Sequence, residues 1–217
     1  MRLLSGGVYR MIKTEILPLG EMQTTCCLVY DEKTKRGWIT DPGAEALKVS
    51  ARISSLEIKP EAILLTHGHF DHIMASDELR SLYHIPVYAC REEEALLADP
   101  SANLSDMWAE PYTVKADRLI QDRQILEIAG YSVEVLHTPG HTKGSVCYYI
   151  ESENILLSGD TLFYESFGRT DFPGGSFFEM RRSVHRLLQL PEKTIVYPGH
   201  GEETNIGHEK RYNPAAG

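Results

Sequence analysis

Long apolar runs are missing from this sequence. No stretch approaches the roughly 20 residues a helix needs to span a bilayer, so a membrane-spanning chain is not expected. Basic residues are in deficit, 22 Lys and Arg against 31 Asp and Glu, for a formal charge of −9. Surfaces that grip nucleic acid or anionic lipid need clustered Lys and Arg to displace counterions, so neither partner is expected. Cysteine is scarce: Cys26, Cys27, Cys90 and Cys147 form no CxxC pair and no zinc-ribbon spacing. Cys26 and Cys27 are adjacent in a strand-like run and point to opposite faces, so they do not bridge. All four read as small packing residues in a reducing compartment, with the cytoplasm as the default. The start, Met1 to Lys13, lacks the continuous apolar core and small-residue cleavage site of a signal peptide. Residues 1–10 read as an extension outside the core, with Met11 as an alternative start. Linkers, repeats and low-complexity tracts are absent too, which makes 1–217 a single domain.

What is present is a series of short segments rich in Val, Ile, Tyr and Leu, bounded by Gly, Pro or Asp. They predict strands at Thr24–Tyr30, Gly37–Thr40, Ala62–Thr66, Val87–Ala89, Ile125–Ile128, Tyr131–His137, Ser145–Ile150, Ile155–Leu157 and Thr194–Tyr197. Helical spacing predicts Ala44–Leu56, with Leu47, Ala51 and Ile53 or Ser54 on the buried face. It also predicts Phe177–Leu190, with Phe177, Val184, Leu187 and Leu188 on one stripe and Pro191 as its stop. Asp71–Leu82 and Arg91–Leu97 are shorter candidates. Helices between groups of strands imply layered α/β packing. The stretch Asp99–Asp117 is long for a loop in a compact domain, and is read as irregular or functional.

The sharpest motif is Thr66-His67-Gly68-His69-Phe70-Asp71-His72, directly after the apolar run Ile63–Leu65. Imidazole and carboxylate together suit zinc, iron and manganese. His67 and His69 project to the same side and can chelate one ion, while Asp71 and His72 open the next helix and can reach a neighbouring one. His141, Asp160 and His200 share the same context, a turn just after a strand, in Pro139-Gly140-His141, Gly159-Asp160-Thr161 and Pro198-Gly199-His200-Gly201. A lone loop histidine is usually just solvated. Together these side chains make seven ligands, the right number for two ions sharing one bridging carboxylate.

This ligand series resembles that of the metallo-β-lactamase superfamily. Gly168-Arg169-Thr170-Asp171-Phe172-Pro173-Gly174-Gly175, Pro198-Gly199-His200-Gly201 and the ending Thr204-Asn205-Ile206-Gly207-His208-Glu209-Lys210 are similar to the short, single-domain glyoxalase II-like hydrolases. The resemblance implies an αββα sandwich, two mixed sheets flanked by helices, with metals in a groove along one edge. It implies one ion held by His67, His69 and His141, a second by Asp71, His72 and His200, and Asp160 bridging them. Zinc is the first expectation, with iron or manganese as alternatives. No Cys stands at the Asp160 position, where the β-lactamases of one class use one, which disfavours antibiotic hydrolysis.

Two ions can lower the pKa of a bridging water toward about 7. The reaction expected is hydrolysis of an acyl-thioester such as S-lactoylglutathione, through a metal-bridging hydroxide whose proton Asp71 steers. Arg169, at a position where the family often has a basic residue, and Lys143 are candidates to contact an acidic thiol carrier. Arg169 is equally a brace to Asp171, and Lys143 an ordinary solvated lysine. Asp41, in the turn Asp41-Pro42-Gly43, lies beneath the metals in the superfamily and is a candidate support for a ligand. His137 is expected to hydrogen-bond rather than ligate, and His84, His185 and His208 to lie apart from the site. The longer glyoxalase II enzymes carry a C-terminal helical domain that 217 residues leave no room for. The rival on the same fold is a mononuclear Fe(II) persulfide dioxygenase using His67, His141 and Asp160. A metallo-nuclease is disfavoured by the charge, and a non-catalytic module by the intact ligand set.

Overall fold

A computed structural model describes residues 11–216, so the reading of residues 1–10 as an extension lies outside the described residues. The first sheet is formed by β1 (Ile12–Leu19), β2 (Thr24–Asp31), β3 (Arg36–Thr40), β4 (Lys59–Leu64), β5 (Val87–Cys90) and β6 (Arg118–Ile120), side by side in that order. β1 to β3 are antiparallel, and β3 to β6 run parallel. The second sheet takes β7 (Ile125–Ile128), β8 (Tyr131–His137), β9 (Val146–Ile150) and β10 (Ile155–Gly159). After a small hairpin, β11 (Leu162–Phe163) and β12 (Ser166–Phe167), it is completed by β13 (Ile195–Pro198) and β14 (Thr204–Asn205). Its spatial order is β14-β13-β10-β9-β8-β7, antiparallel except for the β10/β13 pair. The helices are α1 (Ala46–Leu56), α2 (Phe70–Ile73), α3 (Ser76–Tyr83), α4 (Glu94–Leu97), α5 (Ser105–Trp108), α6 (Phe177–Leu187) and α7 (Ile206–Tyr212).

Period-two alternation builds the layers. In β2, Cys26, Leu28 and Tyr30 face outward to α1 and α3, where they meet Val49, Ile53 and Leu79. Cys27 and Val29 face inward with Trp38 and Leu64, against Val133, Tyr148 and Leu157 of the second sheet. On the far side, Cys147, Tyr149 and Leu156 meet Met180, Val184 and Leu187 of α6. The result is the αββα sandwich of two mixed sheets, as the sequence led us to expect. Strands buried on both faces read as continuous apolar runs, and each fully buried Val or Leu contributes about 1.5–3 kcal/mol. The four cysteines are free and buried, and Cys26 and Cys27 do point to opposite faces. Among the described residues no helix is long and apolar enough to cross a membrane.

Several local expectations need correcting. The buried face of α1 is Ala46, Val49 and Ile53, while Leu47 is 78% exposed and Ala51 is also outside. In α6 the stripe is Met180, Val184 and Leu187, and Phe177 is exposed at the helix start beside the cap Ser176, which accepts from the Glu179 N–H. The predicted helix over Asp71–Leu82 is two helices, α2 and α3. Between them the Ala75 N–H donates to the Pro42 carbonyl at 2.9 Å, which anchors the break to the turn after β3. Arg91–Leu97 is a 3₁₀ turn, Arg91–Glu93, followed by α4. The long Asp99–Asp117 stretch, read as irregular or functional, holds the short helix α5 and is pinned by hydrogen bonds. Its Asn103 carbonyl accepts from the Phe70 N–H, and the Asn103 side chain donates to the Tyr112 carbonyl.

Candidate metal centre

β4, β8, β10 and β13 come from both sheets, yet their carboxyl ends meet at one edge of the sandwich. The Val146 N–H donates to the Thr66 carbonyl, and the Thr25 N–H to the Gly199 carbonyl, so backbone bonds seal the two sheets together there. All seven predicted ligand side chains are brought together at this edge. His67, His69 and His141 form one group, Asp71, His72 and His200 a second, and Asp160 reaches both, grouped also with His67 and His72. His69 Nδ1 and His141 Nε2 are 2.8 Å apart, and Asp160 Oδ2 lies 3.5 Å from His141 Nε2 and 3.7 Å from His200 Nε2. Asp160 Oδ1 is 3.5 Å from His72 Nε2. Gly199 permits this closeness: a Cβ there would stand 2.2 Å from Asp160 Oδ1 and 2.8 Å from the His72 ring.

The imidazoles are held by oxygens behind them. His72 Nδ1 donates to Asp41 Oδ2 at 2.9 Å, His141 Nδ1 to the Arg169 carbonyl at 2.8 Å, and His200 Nδ1 to the Met22 carbonyl at 3.2 Å. His67 Nδ1 lies 3.2 Å from the Thr66 hydroxyl, which itself donates to Asp41. An N–H given away on one side leaves a bare Nε2 on the other, the usual way a protein fixes a metal-binding tautomer. His67 Nε2, His72 Nε2 and Asp160 Oδ1 are indeed buried without a hydrogen-bond partner. Buried polar atoms are rarely left so without cause, and these face one another across the cluster. The donor set fits divalent cations.

Electrostatics agrees with this fit. Burial, reinforced by neighbouring imidazoles, pushes His67 down and His69 to about 3, so both are neutral and have lone pairs to offer. For His72, burial acts downward, but Asp71, Asp41 and Asp160 outweigh it and carry the imidazole up to about 10, so without a cation these carboxylates hold on Nε2 a proton that a metal ion would displace. Burial acts upward on Asp71, but the His72 charge and hydrogen bonds from His200 and Thr24 hold it below the usual carboxylate range. The carboxylates thus form a well of negative charge that a cation fills.

The remaining predicted residues fall as follows. Asp41 is buried beneath the cluster and joins His72 to the Thr66 backbone and hydroxyl. Arg169 lines the cavity, but its guanidinium is held by both Asp171 oxygens at 2.7 Å and lies 3.8 Å from the Phe172 ring centroid. Lys143 is exposed near Gly174 and does not line the cavity. His137 Nε2 bonds to the Lys143 carbonyl, and His208 to Glu165, both apart from the cluster.

Two supporting residues escape sequence reasoning. Thr24 donates to Asp71 Oδ2 at 2.8 Å. Glu93, 1% exposed, accepts from the Gly68 N–H at 3.0 Å, the Gly144 N–H at 2.7 Å and the Thr142 hydroxyl at 2.5 Å. One carboxylate thereby ties the His67–His69 loop to the His141 loop. Glu93 sits in the run Arg91-Glu92-Glu93-Glu94, which reads as a solvated helix face. The one available signal is its position just past a strand, the same context as the ligands.

A sandwich that gathers five histidines and two aspartates at one edge is a metal-binding hydrolase scaffold. Residues 19–200 match the metallo-beta-lactamase superfamily, and the chain belongs to it. It is 42% identical over 207 residues to the probable metallo-hydrolase YqgX of Bacillus subtilis (strain 168), covering 94% of this chain and 97% of that one. It is 34% identical over 207 residues to the hydroxyacylglutathione hydrolase GloC of Haemophilus influenzae, covering 92% and 96%. Among solved structures, the BLEG-1 B3 metallo-beta-lactamase superposes with a TM-score of 0.89 at 43% identity, covering 95% of this chain and 99% of that one. TTHA1623 in a di-iron-bound form gives 0.80 at 34%, covering 92% and 98%, and ETHE1 from Myxococcus xanthus 0.76 at 29%, covering 94% and 84%.

Proposed function

We propose that this metallo-hydrolase cleaves acyl-thioesters at a two-metal site, with zinc as the first candidate and iron or manganese as alternatives. The observation that carries the reading is the second ligand group. Asp71, His72 and His200 converge beside His67, His69 and His141, and Asp160 faces both groups. Bound there, divalent ions supply Lewis acidity and a water acidic enough to ionise near neutral pH. The protein's part is to hold that chemistry in place. Asp41 and the Arg169 carbonyl keep His72 and His141 turned inward. Asp71, fixed by Thr24, takes the proton-steering role. A thioester suits a site without a strong general acid, because its thiolate leaves without protonation. The description of GloC as a hydroxyacylglutathione hydrolase supports the thioester class, and the di-iron form of TTHA1623 supports two ions. A small-molecule substrate, with neither nucleic acid nor membrane as partner, accords with the charge of −9.

The test is thiol release from S-lactoylglutathione by the metal-loaded protein and by His69→Ala. Turnover by the first and its loss in the second support the reading; no release from any thioester contradicts it. Nitrocefin in the same assay covers the β-lactamase activity suggested by the likeness to BLEG-1. The second reading, a mononuclear Fe(II) persulfide dioxygenase on His67, His141 and Asp160, draws on the likeness to ETHE1. It leaves the convergence of Asp71 and His200 on His72 without a purpose. Oxygen uptake with glutathione persulfide would favour it.

A further inference from the structure

The metal edge opens into a cavity of about 470 Å³, and a second of about 240 Å³ beside it shares the lining residues Met22, Phe70, Asp71 and Trp108. Apart from the ligands, the first cavity is walled mainly by Leu104, Trp108, Phe163, Phe167 and Phe172. The second is lined also by Leu19, Ala44 and Met74. Trp108 is 63% exposed on α5 and Met22 is 53% exposed. Large apolar side chains left open around a polar centre mark a surface that a ligand covers.

The charge of the lining points the same way. Arg169 is the one Lys or Arg among the described residues lining either cavity, and its Nε–Nη2 edge is given to the two Asp171 oxygens. A carboxylate on the ligand meets at Arg169 a charge already balanced by Asp171. The charge at the outer end, Glu21, repels it. Beyond the metal edge, the hydrogen-bonding side chains among the described residues lining the first cavity are Ser166, Arg169 and the Trp108 indole, against six Phe, Leu and Met side chains.

We propose that the cavity at the metal edge binds an apolar acyl group, an aliphatic chain or aromatic ring laid against Trp108. This rests on the thioesterase reading. The experiment compares four substrates on the two-metal protein: lactoyl and phenylacetyl thioesters, each of glutathione and of N-acetylcysteamine. A phenyl ring buried in an apolar cavity should raise kcat/KM about tenfold or more over lactoyl on either carrier. Trp108→Ala should shrink the phenylacetyl preference while Trp108→Phe retains it. Trp108 is too exposed for either change to threaten folding. A lactoyl rate equal to or above phenylacetyl on both carriers overturns the inference and leaves the thioesterase reading standing. Hydrolysis of none of the four overturns both.

Discussion

Replacing Glu93 by glutamine changes one oxygen to an amide nitrogen and little else in shape. The carboxylate accepts from three donors, and two of them, the Gly68 and Gly144 N–H groups, are backbone and cannot turn away. Thr142 can rotate its hydroxyl, and it already has Ser145 Oγ within 2.7 Å. The best orientation therefore keeps oxygen toward Thr142 and Gly144 and sets the new NH₂ against the Gly68 N–H at 3.0 Å. A buried donor left unpaired costs about 1–3 kcal/mol. Burial raises the Glu93 pKa despite those bonds, so removing its charge returns part of that cost. A net loss of about 1–2 kcal/mol remains, which for a chain of this size lowers Tm by roughly 2–8 °C. Gly68 lies between His67 and His69, so the damage should also be local to one ion. Affinity at the His67, His69 and His141 group should fall about 10- to 100-fold, as when ligand-orienting partners are lost. Metal-free thermal unfolding and stepwise chelator competition read the two effects separately. A Tm within 1 °C of the parent, or equal weakening of both ions, would refute the reasoning.

Asp41→Asn should act on the other ion, weakening the Asp71, His72 and His200 group about 10- to 100-fold in chelator titrations, because the amide holds His72 less well. Stripping metal should itself lower Tm, since the bare Nε2 atoms and clustered carboxylates of the native state are then uncompensated. Binding at 100 times Kd contributes about 2.7 kcal/mol, a shift of roughly 5–10 °C by calorimetry. Asp31 gives a pH signature away from the metals. Burial acts upward on its pKa, but bonds from Thr34, Lys33 and the Tyr131 hydroxyl outweigh it and lower the value. Its stabilisation is therefore complete above the unfolded pKa near 3.8 and is lost as pH falls through the lower folded value. Denaturant titrations of metal-free protein between about pH 5 and 2 should show a shallower acid loss for Asp31→Asn; an unchanged slope would contradict this.

The candidate ligand cluster is legible because metal chemistry restricts residue type: few structural reasons place His67, His69, Asp71 and His72 in so short a stretch, and the fold brings them together. The inner strands were legible because burial on both faces leaves continuous apolar runs such as Cys26–Tyr30. β1 was not, because its partly buried pattern mixes Lys13 and Glu15 with Ile12 and Ile16, and pairing with β2 rather than local pattern makes it a strand. Glu93 was hidden for a related reason. Three successive glutamates are chemically alike, and only the turn after β5 decides that the second is buried. Leu47 and Phe177 misled because apolar spacing alone does not say which of two adjacent stripes the sheet will cover. The Trp108 wall lies in a loop whose course is set by Asn103 bonds, which leave no periodic trace.

The most direct test of the two-metal site is elemental analysis of the purified protein, paired with oxygen uptake on the same sample. The proposed two-metal site predicts about two divalent ions per chain, with one lost in His200→Ala and no oxygen consumed with a persulfide. One iron per chain, unchanged in His200→Ala and accompanied by oxygen uptake, would contradict it.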